Sequence, residues 1–409
     1  MAGCVAWGVG IGSVRGPASG GSRFGGGRCG GNVAAGVRGA ASASGAVRCA
    51  SGAGAGTVLA VDVGGTNGRF QLWGPGDALV AEEVVPTSAH AGFGDALGAF
   101  LAGSSRSSVV GAACVAVAGP VQDGRCVMTN CAWAVDAAEV ARALGVDAAK
   151  VAVINDFEAV GHGLPALGPS DLVTVHAGAG GAGGEGPKVC LGPGTGLGVC
   201  VVTRPGVVTA GEGGHAGFAP RGDAQRALHA WVEGREGFVE LEALVCGPGL
   251  ARIHAFMQER EGSAAMAALP IWQSAAEREA SEAAKAAAAA PVGAEEVTRR
   301  AAGGDPVAVR SVEMLLAVLG AEAGHLALRL RATGGVYIAG GVTPKLAAWW
   351  RDLPQGAPNP LLDAYLWPQQ AQAFRALLAA CPLHVVVNED VGLLGSRAVA
   401  RAILADNDA

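Results

Sequence analysis

The sequence predicts an α/β fold, and three observations carry that expectation. Apolar runs such as "SSVVGAACVAVAGP" (107–120) and "KVAVIND" (150–156) are short and end on glycine or a polar tip, as strands buried on both faces do. Amphipathic stretches such as "AAEVARAL" (137–144) stand between such runs, and strands alternating with helices argue for α/β architecture. The chain's 409 residues are 50% hydrophobic with mean hydropathy +0.35, enough to bury a sizeable core divided over two domains.

The elements follow in order. Strands at about 58–63 and 70–74 flank a loop, and "ALVAEEVV" (78–85) adds a third alternating strand, a meander suited to a sheet edge. A helix is expected over 92–101, then the buried strand ending at Gly119-Pro120, the helix 137–144, and the strand 150–156 leading into a helix at about Phe157. The Gly-rich "HAGAGGAGGEGP" (176–187) reads as a mobile surface loop. Strands are expected at "KVCLG", "LGVCVV" and "VVTAG", and the pattern turns helical after "GEGGHAGF". The tract 274–290 has high helix propensity but little amphipathic pattern, so it reads as an exposed helix or inserted loop. Asp305-Pro306 is an N-cap followed by proline at the first helical position, opening a helix that runs to 330. "GGVYIAGG" is a strand, Thr343-Pro344 caps the next helix, "LHVVVNED" is a last strand, and "LLGSRAVARAILA" is a terminal helix. No short-period repeat is present, but one Gly/Thr loop in each half hints at a distant duplication.

A net charge of −6 and a pI near 5.8 give no basic field for nucleic acid or a membrane surface, so a small-molecule partner fits better. No stretch reaches the roughly 18 uninterrupted apolar residues of a spanning helix, and the chain reads as soluble. Ten cysteines are scattered singly, with no CxxC and no zinc-ligand spacing, which suggests reduced thiols in an intracellular compartment. The first 55 or so residues are different in kind. They carry Arg15, Arg23, Arg28, Arg38 and Arg48 among Gly, Ala and Ser, with no acid before Asp62, a composition that cannot pack a core. That is the pattern of an organelle transit peptide, with "AVRCA" (46–50) similar to a plastid processing site. The plastid stroma is the expected location, with mitochondrion or cytoplasm as alternatives; a disordered tail or a misassigned start would look similar.

Chemistry gathers in a few loops. In "VLAVDVGGTNGRFQLW" (58–73), Gly64 and Gly65 let the backbone approach an anion, Thr66 adds a hydroxyl, Asn67 follows, and Asp62 at the strand tip could hold a hydrated Mg²⁺. A plain β-hairpin would use the same glycines. "LGPGTGLGVCVV" repeats the design with Gly194, Thr195, Gly196 and Gly198, and two such hairpins could grip one polyphosphate from opposite sides. Gly340-Gly341 precedes a helix start where an anion or nucleotide edge could lie. Asp156, at a strand tip, reads either as a general base or as a helix N-cap, with Asn155 beside it available to a hydroxyl. Glu212 and His215 in "GEGGH" can converge on one polyhydroxylated ligand, and neither belongs in a core. Asn130 and Glu242 are further polar residues next to apolar runs, for which solvated surface is the alternative.

"DVGGTNGRF", "INDFEAV", "LGPGTGLGV", "GEGGHAGFAP", "CGPGL", "GGVYIAGGV" and "GLLGS" stand in the order and approximate spacing of the bacterial-type glucokinases, and the chain resembles that family over roughly 57–405. The resemblance implies a two-domain actin-like ATPase (ribonuclease H-like) fold. Its small α/β domain would comprise 57–165 plus 388–409, its large α/β domain 166–387, with a cleft between them that closes on glucose; 1–56 would be the disordered transit peptide.

By the same resemblance Asp156 is the general base for transfer from ATP to the glucose 6-hydroxyl. Asn155, Glu212, His215 and Glu242 bind sugar hydroxyls, and Asn130 is a further candidate. Asp62 (linked to Mg²⁺), Gly64, Gly65, Thr66 and Asn67 form the first phosphate loop, Gly194, Thr195 and Gly196 the second, and Gly340 and Gly341 the nucleotide-side turn. Glucose and ATP are the implied partners, and a homodimer is compatible with the pattern. The leader, the Gly-rich linker, the expanded 262–304 region and Gly68 depart from the family pattern, and the Cys-rich zinc motif of the related repressor and sugar-kinase family is absent. A kinase for another hexose or amino sugar, and a non-catalytic sugar sensor, are the competing functions.

Overall fold

The computed structural model describes residues 56–103, 110–128, 130–179, 184, 186–262, 292–346, 349, 359–367 and 372–406. The leader up to residue 55, the tract 274–290 and part of the Gly-rich linker lie outside the described residues.

The first sheet contains β1 (Thr57–Val63), β2 (Asn67–Trp73), β3 (Leu79–Pro86), β4 (Val110–Val117) and, after the two-stranded ribbon β5 (Arg125–Val127) and β6 (Ala134–Asp136), β7 (Val151–Asn155). Its order is β3-β2-β1-β4-β7, antiparallel across β3-β2-β1 and parallel across β1-β4-β7. The second sheet contains β8 (Leu172–His176), β9 (Lys188–Pro193), β10 (Leu197–Arg204), β11 (Val207–Gly211), β12 (Gly335–Ile338) and β13 (Leu383–Val386). Its order is β11-β10-β9-β12-β13-β8, so an antiparallel triplet again leads into parallel strands, with antiparallel β8 added at the edge. The hinted duplication therefore has a topological counterpart, each half placing its Gly/Thr loop between the first two strands of its triplet.

The continuous apolar run of β1 is explained by burial on both faces. Leu59, Val61 and Val63 join a cluster with Phe93, Leu97 and Phe100 of helix α1 (Phe93–Ala102), Trp133, and Val140 of α2 (Ala137–Leu144), whereas Val58 faces Ala112, Cys114, Val399 and Leu404. Alternate side chains thus enter different cores, and no polar face is left over. The buried cysteines behave as small hydrophobes, and burial pushes the thiol pKa of Cys114, Cys126, Cys246 and Cys381 up.

Helix α3 (Asp156–Gly163) packs against β10 and β11 as well as β4 and β7, so it bridges the two sheets. The remaining described helices are α4 (Gly222–Glu236), α5 (Gly247–Gly262), α6 (Ala294–Ala302), α7 (Pro306–Leu330), α8 (Pro360–Leu366), α9 (Gln372–Ala380) and α10 (Val391–Asp406). The C-terminal α10 returns to the first sheet, where it packs on β1, β4 and α3. Glycines permit that last crossing. A Cβ on Gly395 would lie 1.7 Å from the Ala159 carbonyl oxygen, and one on Gly163 2.1 Å from that of Val391.

The structure corrects several local expectations. Strand β2 begins at Asn67 rather than Phe70, because Gly68 already pairs with Val63. The β5–β6 ribbon and β8 went unforeseen, the first being only three residues a side and the second partly exposed along its length. Thr343 does not cap a helix. Its buried hydroxyl donates back to the Ala339 carbonyl at 2.8 Å, and the segment that follows begins as a 3-10 turn, Pro344–Leu346, before Trp349 is helical. Asp305 does cap α7, accepting from the Val307 and Ala308 N–H groups. The α7 helix is long and apolar enough to cross a membrane by length and composition, although Glu313, Gly320 and Glu322 interrupt its apolar run as the sequence reading required, and 72% of its most apolar window is buried inside the protein. Gly320 and Gly324 let α8 lie against it, a Cβ at Gly320 meeting the Leu361 carbonyl oxygen at 2.1 Å.

The α3–α10 crossing yields a stability test. Gly395→Ala should destabilise the protein by about 1–3 kcal/mol through overpacking against backbone, measured by urea unfolding, while Gly94→Ala, where the added methyl meets nothing within 4 Å, is the matched control.

Candidate active site

The β1–β2 loop is a tight turn. The Gly64 N–H donates to the Asn67 carbonyl at 2.9 Å, so this donor is occupied inside the turn rather than turned toward a ligand. The loop is held from outside by buried Thr87, whose hydroxyl donates to the carbonyls of Gly65 (2.9 Å) and Thr66 (3.1 Å), and whose N–H donates to Thr66 at 2.8 Å. Sequence reasoning missed Thr87, whose only signal is position at the end of β3. Asp62 is partly buried at the tip of β1, where its Oδ2 accepts from Arg69 at 2.8 Å. Arg69 also donates to Asp390 Oδ1 (2.6 Å) and to the Glu389 carbonyl (2.9 Å), which ties β2 to the entry of α10. Asn67 is exposed as the first residue of β2, and exposed Asn130 lies beside the loop, since a Cβ on Gly65 would stand 2.9 Å from its Cβ.

The β9–β10 loop is built alike. The Gly194 N–H donates to the Gly196 carbonyl at 2.8 Å, and exposed Thr195 sits at the apex. The Gly194 carbonyl accepts from the N–H of Gly247, the first residue of α5, at 2.8 Å. Glu242 Oε2 accepts the Leu197 N–H at 2.7 Å, and a Cβ on Gly196 would collide with that carboxylate at 2.4 Å. Glu242 therefore braces the loop and is not the solvated surface residue its sequence context allowed. Gly340 adopts a positive φ of 93° and packs where a Cβ would meet the Pro193 carbonyl oxygen at 2.6 Å, so the Gly340-Gly341 turn lies against the base of the same loop.

Asn155 and Asp156 resolve into distinct local roles. Asn155 is the N-cap of α3, its Oδ1 accepting from the N–H groups of Phe157 (2.8 Å) and Glu158 (3.3 Å) and its Nδ2 donating to Gly119 at 3.3 Å. The cap function left open for Asp156 thus belongs to its neighbour. Asp156 accepts from the Phe157 N–H at 2.9 Å. Burial, together with the negative charges of Asp62 and Glu212, raises its pKa to about 6 against the lowering effect of that N–H. The next side chain fixes the position. The Phe157 ring rests on Gly192 and Gly198, where added Cβ atoms would stand 1.8 and 2.0 Å from ring carbons, so the helix bearing Asp156 is seated directly on the strands of the second loop.

Glu212 and His215 are exposed on the turn after β11, with His215 Nε2 4.0 Å from Glu212 Oε2. Glu240, unremarked in the sequence, accepts at 2.7 Å from His215 Nδ1. That bond raises the His215 pKa, and the charges of Glu242 and Glu212 act in the same direction.

A carboxylate with a raised pKa, seated on one of two matched Gly/Thr hairpins and near the exposed polar side chains of Glu212 and His215, is the arrangement expected of a sugar kinase of the actin-like ATPase fold. Comparison with known proteins agrees. The glucokinase family model matches residues 59–403. A glucokinase from Synechocystis sp. is 34% identical over 311 residues, spanning 73% of this chain and 81% of its own, and one from Chromohalobacter salexigens is 34% identical over 345 residues, spanning 82% and 94%. The crystal structure of a glucokinase from an Antarctic psychrotroph superposes with a TM-score of 0.68 at 25% identity, covering 84% of this chain and 98% of that one. A Balamuthia mandrillaris glucokinase solved with glucose gives 0.63 at 19% identity, covering 87% and 96%. The chain belongs to the glucokinase family, and its activity is ATP-dependent phosphorylation of glucose.

The raised pKa of Asp156 has a consequence for stability. An Asp that is harder to ionise when folded destabilises the native state above its folded pKa, and the penalty vanishes below about pH 4, where the unfolded carboxyl is protonated too. Asp156→Asn should therefore be more stable than wild type at pH 8, by about 1–3 kcal/mol, with the difference closing by pH 4; thermal melts at the two pH values check it.

Proposed function

We propose that Asp156 is the general base of this kinase. Its carboxylate takes the proton of the glucose 6-hydroxyl as that oxygen bonds to the γ-phosphorus of ATP and the bridging β–γ oxygen leaves with ADP. The observation that carries the reading is the raised pKa of a carboxylate locked by Phe157 onto the second Gly/Thr loop. A base near pH 6 is ionised at physiological pH yet basic enough to accept a proton. Glu212 and His215 are proposed to bind the sugar hydroxyls, and Glu242, already bonded to Leu197, to link the sugar site to the phosphate loop. Asn155 and Asn130 complete the sugar set, Asn155 acting with a side chain already committed to its cap.

The two loops are proposed to hold ATP through Gly65, Thr66, Thr195 and Gly196, with Asn67 at the rim, Gly64 and Gly194 shaping the turns, and Gly340-Gly341 flanking the nucleotide. A Streptomyces griseus glucokinase of the same fold was solved with glucose and AMPPNP, at a TM-score of 0.53 and 20% identity. The residues fit Mg²⁺. Asp62 offers a partly buried carboxylate, with Oδ2 taken by Arg69, which suits an ion that keeps several waters and is held mainly through substrate phosphates. Mg²⁺ bound there would neutralise phosphate charge. Closure of 57–165 plus 388–409 onto 166–387 would exclude water from the reacting phosphoryl group.

Asp156→Asn is expected to lower turnover by about 10²–10⁴-fold in a coupled assay with glucose, ATP and Mg²⁺ while glucose binding by calorimetry is largely kept. Near-normal turnover would remove Asp156 from the base role, and binding without turnover in the wild type would favour the sensor. Residues 1–56 are proposed to direct import into plastids; their fusion to a fluorescent protein should localise there, and cytosolic fluorescence would refute the assignment.

A further inference from the structure

The segment 239–242 pairs with 214–218. Phe218 N–H donates to the Val239 carbonyl (2.9 Å), Leu241 N–H to Ala216 (2.9 Å) and Glu242 N–H to Gly214 (2.9 Å), with Gly217 and Glu240 bridged between them. Alternation along this extended segment sends Val239 and Leu241 into the core and leaves Glu240 and Glu242 on the opposite side. The two carboxylates then serve two parts of the site. Glu242 braces the second phosphate loop, and Glu240 accepts from His215 Nδ1 at 2.7 Å.

We propose that Glu240 is a positioning residue for sugar binding, holding the His215 imidazole by Nδ1 so that Nε2, on the Glu212 side of the ring, is presented to a substrate hydroxyl. The inference rests on the reading of His215 as a sugar ligand. An imidazole on an exposed turn has two ring orientations and two tautomers, and an anion on one nitrogen selects among them. With Nδ1–H directed to Glu240, Nε2 accepts from a hydroxyl when the ring is neutral and donates to one when it is protonated. The charged groups facing the ring are Glu212, Glu240 and Glu242, all acidic, and they favour the protonated form.

The test uses the full chain and the variants Glu240→Ala, Glu240→Gln, His215→Gln and the double variant Glu240→Ala/His215→Gln. Steady-state kinetics should show the glucose KM raised about three- to tenfold in Glu240→Ala, the scale of one partly exposed charge-assisted hydrogen bond, with a larger effect on glucose KM than on kcat or on the KM for ATP. Glu240→Gln, which can still accept from Nδ1, should recover part of the loss. Histidine NMR, with the His215 signal assigned by its absence in His215→Gln, should show a lower His215 pKa in Glu240→Ala than in wild type. In the His215→Gln background the Glu240 change should have no further effect. An unchanged glucose KM in Glu240→Ala while His215→Gln raises it, or an equal Glu240 effect in both backgrounds, overturns the proposal alone. An unchanged glucose KM in His215→Gln overturns the sugar-ligand reading and the proposal with it.

Discussion

The site depends on one packing contact, the Phe157 ring lying on Gly192 and Gly198. Helix α3 starts at the end of the first sheet's β7, yet this ring places its N-terminus on the β9–β10 hairpin of the second sheet. Any side chain at either glycine would lift the ring and, with it, the adjacent Asp156. Interiors are packed densely enough that such a displacement cannot be absorbed locally. Asn155 contributes from the other side by capping the helix, so Asp156 is gripped between a cap and a wedge.

Electrostatics follow from that placement. Burial, with the negative charges of Asp62 and Glu212, holds Asp156 at a pKa of about 6. Arg69 answers part of the charge by binding Asp62 while also joining Asp390 and the Glu389 carbonyl at the entry of α10. One guanidinium therefore links the first Gly/Thr loop to the C-terminal helix, which is packed in turn against α3 through Gly163 and Gly395. Asp156, the first loop and the second loop are thereby parts of one continuous packing arrangement.

Much of the fold was legible because burial on both faces writes strands as unbroken apolar runs, as in β1, β4, β7 and β9, and because a cap such as Asp305 has local chemistry. The short ribbon β5–β6 and the half-exposed β8 lack that signature. Thr343 looked like a cap, but a carbonyl four residues earlier was the better-placed partner for a hydroxyl that the core had already enclosed. The length and apolarity of α7 were visible, whereas what surrounds it is a property of the folded chain.

The sequence by itself determined the strand and helix types, the two Gly/Thr hairpins, and the residue kinds of a phosphoryl-transfer site, since these depend on local periodicity, backbone freedom and side-chain chemistry. Only the tertiary structure decided which carboxylate does what. Asn155 rather than Asp156 is the cap, Glu242 braces a loop 45 residues away, and Glu240 and Thr87 serve neighbours that no spacing rule connects. Hydrogen bonds between distant segments carry no periodic trace in the chain, so they become readable only once the sheets have brought those segments together.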